Sequence, residues 1–268
     1  MIGRGEGGKQ PVPLDFPGFA QEFLRRSPAY RAYFRETAAD LLRRPASLQE
    51  DMTRRWGLSY PLSPDMPAAA EPALWTPSAS AFTTIVASTP VGSGIASSRI
   101  ADWPAILVDR PLRGGRFLIL DDKDGPHRIW LCSEGEGVPL AYVIPYDAAA
   151  ELRLETARRL GRRLAGAPPV RALNGHRPSP FQRHRLGQLL AILDAVDPRG
   201  ARPATTYEVA RQIVYPAMTV GRGAEWKTSS ERRHTQRLID EARELRDGGY
   251  RRLLLGRVRG ATKSGGSK

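Results

Sequence analysis

Side chains able to bind a phosphate or a base edge are concentrated at the start of a predicted helix near the C-terminus. Residues 228–231 read Thr-Ser-Ser-Glu, a capping-box pattern that satisfies exposed backbone amides. A helix beginning near Ser229 would present these side chains on its first turns: Ser229, Ser230, Arg232, Arg233, Gln236 and Arg237. Hydroxyls and free amides there can hold phosphate, while arginine and glutamine can reach base edges. The alternative is a solvated charged face on an ordinary helical bundle.

The charge distribution favours a polyanionic partner. Residues 1–150 hold 16 Lys+Arg and 17 Asp+Glu, whereas residues 151–268 hold 25 and 11. The whole net charge of +13 therefore arises in the C-terminal part, where most of the cations are arginine. A field of this size attracts nucleic acid and strengthens binding through counterion release. A general compositional bias towards arginine would also have raised the positive charge of the first 150 residues, but these are near neutral. We therefore attribute the charge to a nucleic-acid partner and expect double-stranded DNA.

Three predicted helices would position these side chains. The first spans Phe181–Val196, and a second, short helix opens at the capping-box sequence Thr205–Glu208. The third runs from near Ser229 to Arg246, with apolar residues at helical spacing on one side. Tyr250–Leu255 then follows a Gly-Gly pair and is suited to a short strand or wing. This predicts a winged, helix-turn-helix-like domain, although the loop before the third helix is longer than the usual turn.

The rest of the chain contains helical and then extended patterns. Residues 16–48 have helical periodicity interrupted at Ser27-Pro28, and a proline-rich connector spans Pro61–Pro77. Five short apolar runs bounded by turns are candidate strands: Thr83–Ala87, Ala105–Val108, Arg116–Leu120, Arg128–Cys132 and Leu140–Ile144. A helix is predicted over 147–164. The fold class is therefore α+β, with N-terminal helices and a small antiparallel sheet linked to the helix-turn-helix-like domain.

These patterns divide the chain into five regions. We expect a helical segment at 1–60, a sheet with a helix at 61–167, a proline-rich linker at 168–180, the DNA-binding domain at 181–258 and a disordered basic tail at 259–268. Several N-terminal aromatics lie on helices too short to form a core unaided: Phe19, Phe23, Tyr30, Phe34 and Trp56. We expect residues 1–165 to mediate self-association through such side chains, the alternative being that the aromatics pack onto the sheet region of their own chain.

No constellation in the sequence predicts catalysis, a metal or a cofactor. Cys132 is the single cysteine and is read as a small buried hydrophobe, and the four histidines lack metal-ligand spacing. The acidic cluster at residues 121–124 lacks the glutamate of a calcium loop. Asp240, Glu241 and Glu244 are more simply an ion-paired surface than a nuclease site. From these residues we expect a protein that is not an enzyme. Because the sequence has neither a membrane-length apolar run nor a secretory signal, we expect the protein to be cytoplasmic.

Several motifs resemble the RovC-like DNA-binding domain of proteobacterial transcription factors. They are the runs Glu225–Arg232, Arg237-Leu238 and Arg246–Leu254, with Thr206–Ala210 similar to the second-helix signature. Phe23–Arg31 and Trp56–Leu58 resemble the regulator-like domain that often precedes it. With this resemblance, the candidate DNA-binding residues are Thr206, Tyr207, Arg211, Trp226, Lys227, Ser229, Ser230, Arg232, Arg233, Gln236, Arg237, Tyr250 and Arg251.

The resemblance implies a transcriptional activator that assembles into homo-oligomers, as large as a hexamer in the family. Relatives act on type VI secretion genes or on transfer of mobile elements, and an activator would also have RNA polymerase as a partner. Some relatives are antiactivators that bind another regulator instead of DNA, but the positive C-terminal charge argues against that role. An RNA-binding role lacks the aromatic stacking platform expected for single strands.

Overall fold

The computed structural model describes residues 14–41, 46–89, 100, 103–122, 125–132, 138–168, 177–198, 202–218 and 221–257. Its N-terminal helices are α1 (Phe16–Leu24), α2 (Pro28–Leu41) and α3 (Ala46–Trp56). The strands are β1 (Thr83–Ser88), β2 (Ile106–Leu112), β3 (Gly115–Leu120), β4 (His127–Leu131) and β5 (Leu140–Val143). The later helices are α4 (Ala150–Leu164), α5 (Pro180–Val196), α6 (Thr206–Val209), α7 (Gly223–Thr228), α8 (Ser230–Glu244) and α9 (Tyr250–Leu253). The α+β fold class is confirmed.

The five strands form one sheet in the order β2-β3-β4-β1-β5. Three neighbouring pairs are antiparallel, including the β3–β4 hairpin. The pair β1–β4 is parallel, with Ile85 opposite Trp130, so the sheet is mixed and not purely antiparallel. The reason is topological: the β2–β3 hairpin lies between β1 and β4 in sequence and supplies the long connection that parallel neighbours require.

Both faces of the sheet are covered around its centre. On one face, Leu118, Leu120 and Ile129 pack with Leu160 of α4. On the other face, Phe117 and Ile119 pack with Leu74 from the segment after α3. Strand β3 is therefore buried on both sides, which explains its unbroken apolar run. Cys132 is exposed, contrary to the expectation of burial, because it lies just beyond the last residue of β4.

The N-terminal helices and the C-terminal helices share one hydrophobic core. Phe19, Phe23 and Tyr30 are 4%, 0% and 1% exposed, and they belong to the same buried cluster as residues of α5, α8 and α9. Helix α1 contacts α5 and α9 directly. The expectation that these aromatics form an exposed self-association surface was therefore wrong. The alternative, packing on the sheet of the same chain, was also incomplete, because helices of the C-terminal part supply much of the covering surface.

Phe34 and Trp56 are partly buried at the margin of this core. Their rings pack against Tyr30, with centroids 6.4 Å and 5.2 Å away respectively. A partly buried hydrogen bond joins α3 to α9, since the Tyr250 hydroxyl donates to the Trp56 carbonyl at 3.1 Å. Tyr250 also lies against the Trp75 ring at 5.9 Å, and burial raises the pKa of Tyr250 to about 12.

The predicted wing is a helix. Gly248 has a φ of 138° and breaks the chain direction after α8, after which residues 250–253 form α9. Tyr250, Leu253 and Leu254 are all buried, at i, i+3 and i+4. This helical spacing lets one side of α9 pack against α1, which a strand could not do with the same residues. The C-terminal domain is therefore helical without a wing formed by this segment.

Among the described residues, no helix is both long and apolar enough to cross a membrane. Most of the predicted linker and the whole of the predicted basic tail lie outside the described ranges.

Candidate nucleic-acid interface

The N-terminus of α8 is capped by Ser229. Its hydroxyl oxygen accepts a hydrogen bond from the Arg232 amide at 3.1 Å and donates to the Trp226 carbonyl at 3.0 Å. The helix therefore starts where the sequence predicted. The predicted box between Thr228 and Glu231 does not form, because Thr228 is the last residue of α7 and its hydroxyl donates to carbonyls of that helix. The Glu231 carboxylate instead accepts from the Ser230 hydroxyl at 3.1 Å.

One side of α8 is anchored in the core and the other faces solvent. Thr235, Leu238, Ile239 and Ala242 are buried, and α8 packs along α5. At 100° per residue, the direction opposite this stripe is occupied by a set of exposed side chains. They are Ser230, Arg233, Gln236, Arg237 and Asp240, with Arg232 exposed at the margin. Five of the six positions selected from sequence thus lie together on the first turns of α8, and the sixth, Ser229, is the partly buried N-cap residue.

The exposed arginines of this surface are held by backbone carbonyls. Arg233 donates to the Thr228 carbonyl at 3.0 Å, Arg232 to the Lys227 carbonyl at 3.4 Å, and Arg237 to the Arg233 carbonyl at 3.3 Å. Within the described ranges, no carboxylate forms an ion pair with any of the three. Their guanidiniums are therefore oriented, and their charge is not neutralised by an ion-pair partner.

Arginines elsewhere in the same bundle do have carboxylate partners. Arg185 pairs with Glu241 at 2.5 Å, and Arg252 pairs with Glu244. These pairs place two of the three acidic residues considered for catalysis in ion pairs. The third, Asp240, accepts a hydrogen bond from Gln236 at 2.9 Å. Positive charge is thus concentrated at the start of α8, while Glu241 and Glu244 in its second half are paired with arginines from outside the helix.

Helix α6 lies beside this surface and contacts it. The Thr205–Glu208 capping box is confirmed: Thr205 Oγ1 accepts from the Glu208 amide at 3.3 Å, and Glu208 accepts from the Thr205 amide at 2.7 Å. The Thr205 amide and the Arg202 guanidinium lower the pKa of Glu208 to about 2. The helix continues through a π-helical turn, Ala210–Val214, on which Arg211 is exposed. Thr206 Oγ1 donates to Gln236 Oε1 at 3.3 Å, which joins α6 to the centre of the exposed surface of α8.

The long loop predicted between the second and third helices contains helix α7. Trp226 is the buried residue of α7 and packs edge-on against Tyr207 of α6, with ring centroids 5.3 Å apart. Arg222 donates to the Tyr207 hydroxyl at 3.2 Å. Lys227 is exposed at the end of α7. Trp226 therefore packs beneath the exposed surface and holds α7 against α6, while the partly buried Tyr207 lies at the edge of the candidate interface.

Two of the candidate residues lie elsewhere. Tyr250 is 1% exposed in the shared core, so it cannot contact DNA from this position. Arg251 donates to the Arg55 carbonyl and lies 5.7 Å from the Tyr250 ring centroid, next to the N-terminal helices. Both were placed in the interface because α9 was predicted as a wing. Sequence reasoning also missed Arg222 and the exposed His234, whose ring packs against Tyr215 at 6.2 Å. No spacing rule pointed to either residue.

In the part of the chain that the structure describes, no three His, Cys, Asp or Glu side chains come together as metal ligands. The Asp122 carboxylate lies 2.8 Å from His127 Nε2, within hydrogen-bond distance. Burial lowers the pKa of His127 despite this carboxylate. Asp124 of the acidic cluster lies outside the described residues.

Comparison with protein families confirms the resemblance seen in the motifs. Residues 143–255 match the family described as a type VI secretion system transcription factor, DNA-binding domain. Residues 8–61 match the proteobacterial transcriptional regulator-like domain, and residues 83–142 match a domain of unknown function. No curated protein matches the chain. The C-terminal match contains all of α4–α9, including the exposed surface of α8. The C-terminal and N-terminal matches are to domains of DNA-binding transcriptional regulators.

Proposed function

We propose that this protein is a sequence-specific, double-stranded DNA-binding regulator that acts as an oligomeric activator of type VI secretion or mobile-element transfer genes. The observation that carries the DNA-binding part is the arrangement of Arg232, Arg233 and Arg237 on the first turns of α8. They are exposed, held by backbone carbonyls and without carboxylate partners in the described structure.

In this proposal the first half of α8 enters the major groove. Arg233 and Gln236 point away from the core and would read base edges, since arginine and glutamine present paired donors and acceptors. Ser230 and the amides at the helix N-terminus would hold a phosphate. Asp240, one turn beyond Gln236, limits the contact to the first turns, because a carboxylate there would be repelled by phosphates.

A DNA-binding role is favoured over the protein-binding antiactivator by this charge arrangement. An antiactivator requires a surface matched to another regulator, whereas unpaired guanidiniums on a capped helix match a polyanion. Electrophoretic mobility shifts over a series of salt concentrations test the choice. Affinity for duplex DNA should fall steeply with salt, since each neutralised phosphate contributes a slope of about −0.9 in a plot of log K against log salt. An affinity independent of salt would exclude this mode.

Genome-wide footprinting of the tagged protein would identify its targets. We expect enrichment upstream of secretion or transfer operons, lost in an Arg233→Ala strain and retained in an Arg54→Ala strain. Arg54 is a matched control, since it is an exposed arginine on α3 that pairs with Asp51. Reduced target transcription on deletion would support activation, and increased transcription would indicate a repressor.

Assembly into an oligomer is supported by the two edge strands of the sheet. Leu107 on β2 is 56% exposed, and Tyr142 and Val143 on β5 are 41% and 43% exposed. Exposed apolar side chains on edge strands are typical of association surfaces. Light scattering of the full-length protein should show an oligomer that Leu107→Lys or Val143→Lys weakens. A wild-type monomer at micromolar concentration would exclude assembly.

A further inference from the structure

An open cavity of about 610 Å³ lies where the first two helices meet the C-terminal bundle. Its lining includes five arginines: Arg25, Arg26, Arg31, Arg35 and Arg246. Four of them come from the α1–α2 region, and Arg246 follows α8. Two aspartates from the end of α5 also line the cavity. Glu22 and Asp247 pair with three of its arginines from outside the lining, so the five arginines and these four carboxylates together have a net charge of +1.

Both aspartates are already engaged by guanidiniums. Asp194 accepts from Arg26 Nε at 2.7 Å and from Arg26 Nη2 at 2.8 Å. Asp197 pairs with Arg246, and Arg243 lies 3.7 Å from its other oxygen. Because each carboxylate is neutralised by a neighbour, it repels an incoming anion far less than a free carboxylate would.

Several of the arginines are held in place before any ligand arrives. Arg25 donates to Glu22 at 2.6 Å and to the Pro64 carbonyl at 3.3 Å, and Arg31 donates to the Arg25 carbonyl at 2.7 Å. The side chains of Arg25, Arg26 and Arg246 are only 17%, 16% and 13% exposed. A guanidinium already fixed in this way loses little conformational entropy on binding a ligand.

We propose that this cavity binds a small anion with two or more phosphate groups, such as a nucleoside diphosphate or triphosphate. Guanidinium groups match the oxygens of phosphate as paired donors. A cavity with several guanidiniums therefore matches a ligand with adjoining phosphates better than a ligand with a single acid group. The volume lies within the range of about 300–1,000 Å³ that small-molecule sites occupy. Pro28, Leu193 and Pro198 add apolar surface for a base or another uncharged part of the ligand.

The cavity is separate from the proposed DNA interface. Arg246 follows the C-terminal end of α8, whereas Ser230 begins the helix, and the two ends are roughly 20 Å apart at 1.5 Å per residue. A bound anion would contact α2 on one side and α5 on the other. It would therefore stabilise the junction between the N-terminal helices and the DNA-binding bundle, which gives the regulator a means of sensing a metabolite.

Calorimetry and thermal unfolding of the full-length protein, without DNA, test this site with ATP, inorganic pyrophosphate and inorganic phosphate as probes. ATP and pyrophosphate should bind and raise the Tm, while phosphate should bind much more weakly. The double variant Arg31→Gln/Arg35→Gln should weaken binding about tenfold or more, since charge-assisted hydrogen bonds are removed. Arg54→Gln is the matched control for removal of a surface arginine and should leave binding unchanged.

A second pair, Arg232→Gln/Arg233→Gln, separates this site from the DNA interface. It should reduce DNA binding and leave pyrophosphate binding intact. Three results would overturn the proposal: no binding of ATP or pyrophosphate at millimolar concentration, unchanged binding in a folded Arg31→Gln/Arg35→Gln protein, or loss of binding only in the Arg232→Gln/Arg233→Gln protein. Phosphate binding as tightly as pyrophosphate would exclude a multiple-phosphate ligand.

Discussion

At the scale of single residues, the interface depends on which arginines have partners. Arg185 and Arg252 are paired with glutamates, whereas Arg233 is held only by a backbone carbonyl. Residue type alone does not distinguish these cases, and the sequence treats all three as equivalent cations. The difference arises because α8 packs along α5, which brings Glu241 next to Arg185. Tertiary packing thus determines which arginines near α8 have a carboxylate partner.

Arg233→Ala and Gln236→Ala should each reduce discrimination between specific and random DNA. Both side chains face away from the core, and removing either one should cost about 1–3 kcal/mol of binding free energy on the specific duplex. Arg251→Ala is the control, because Arg251 contacts the Arg55 carbonyl and not the interface. Fluorescence anisotropy with specific and random duplexes measures the difference. An equal weakening on both duplexes for Arg233→Ala and Gln236→Ala would contradict base reading by α8.

Replacing the cap of α8 should separate stability from DNA binding. Ser229→Ala removes the hydroxyl that accepts from the Arg232 amide and should cost about 1 kcal/mol of the free energy of unfolding. Ser229→Asp can cap the helix equally well, so its stability should be close to that of the wild type. Its carboxylate would nevertheless repel phosphate, so its DNA affinity should fall. Urea unfolding together with anisotropy would show whether the two effects separate; an Asp variant that binds DNA normally would place the phosphate elsewhere.

At the scale of secondary-structure elements, the sequence predicted what local signals control. The Thr205–Glu208 box, the start of α8 and all five strands were found because caps and apolar periodicity depend on near neighbours. The β1–β4 pairing and α9 depend on distant partners and were not predicted. Residues 250–255 have an apolar run compatible with a strand, whereas in the structure residues 250–253 form a helix that packs against α1. The one candidate site residue that the structure buries, Tyr250, was misplaced because of that one element.

A buried ion pair connects α1 with the sheet and should control stability at acid pH. Asp15 caps α1 by accepting from the Gly18 amide, and it pairs with Arg128 of β4 at 2.6 Å. Burial raises the pKa of Asp15, but the Arg128 guanidinium and these hydrogen bonds lower it by more than burial raises it. The pKa of Asp15 therefore lies below its usual value of 3.8. A carboxyl with a depressed folded pKa stabilises the fold above its unfolded pKa and loses that contribution as pH falls through the folded value.

Asp15→Asn should therefore lower stability at neutral pH and flatten its decrease below about pH 4. Loss of one partner from a buried pair should cost about 3–5 kcal/mol, because the Arg128 charge remains in the interior. Urea unfolding between acid and neutral pH gives both quantities. Asp109→Asn, which removes a more exposed carboxylate paired with Arg116, should cost far less and serves as the control. A profile for Asp15→Asn parallel to the wild type would contradict this role of the ion pair.

At the scale of the whole molecule, the N-terminal helices are structural partners of the DNA-binding bundle. The sequence patterns placed the DNA-binding domain at 181–258, apart from the N-terminal helical segment, but such patterns do not show which helices share a core. Phe16 and Phe23 belong to the buried cluster that contains Leu186 and Leu253. A bidentate ion pair between Arg26 and Asp194 joins the same helices at the surface. A change at the N-terminal helices can thus reach α8 through packed side chains.

The C-terminal fragment 170–268 should therefore fail to fold cooperatively on its own, although the sequence patterns place a linker before the DNA-binding domain. Without α1, the apolar side of α9 would face water, and Tyr250 would be deprived of both Trp75 and the Trp56 carbonyl. Burial of that surface stabilises the fold by about 25 cal/mol for each Å² of apolar area, and a chain of this size has little stability in reserve. Circular dichroism during thermal unfolding would compare the fragment with the full chain, and co-expression with residues 1–89 should restore a sharp transition. A fragment that unfolds cooperatively near the Tm of the full-length protein would show that the N-terminal helices are dispensable for the fold, and their contact with α9 would then serve regulation only.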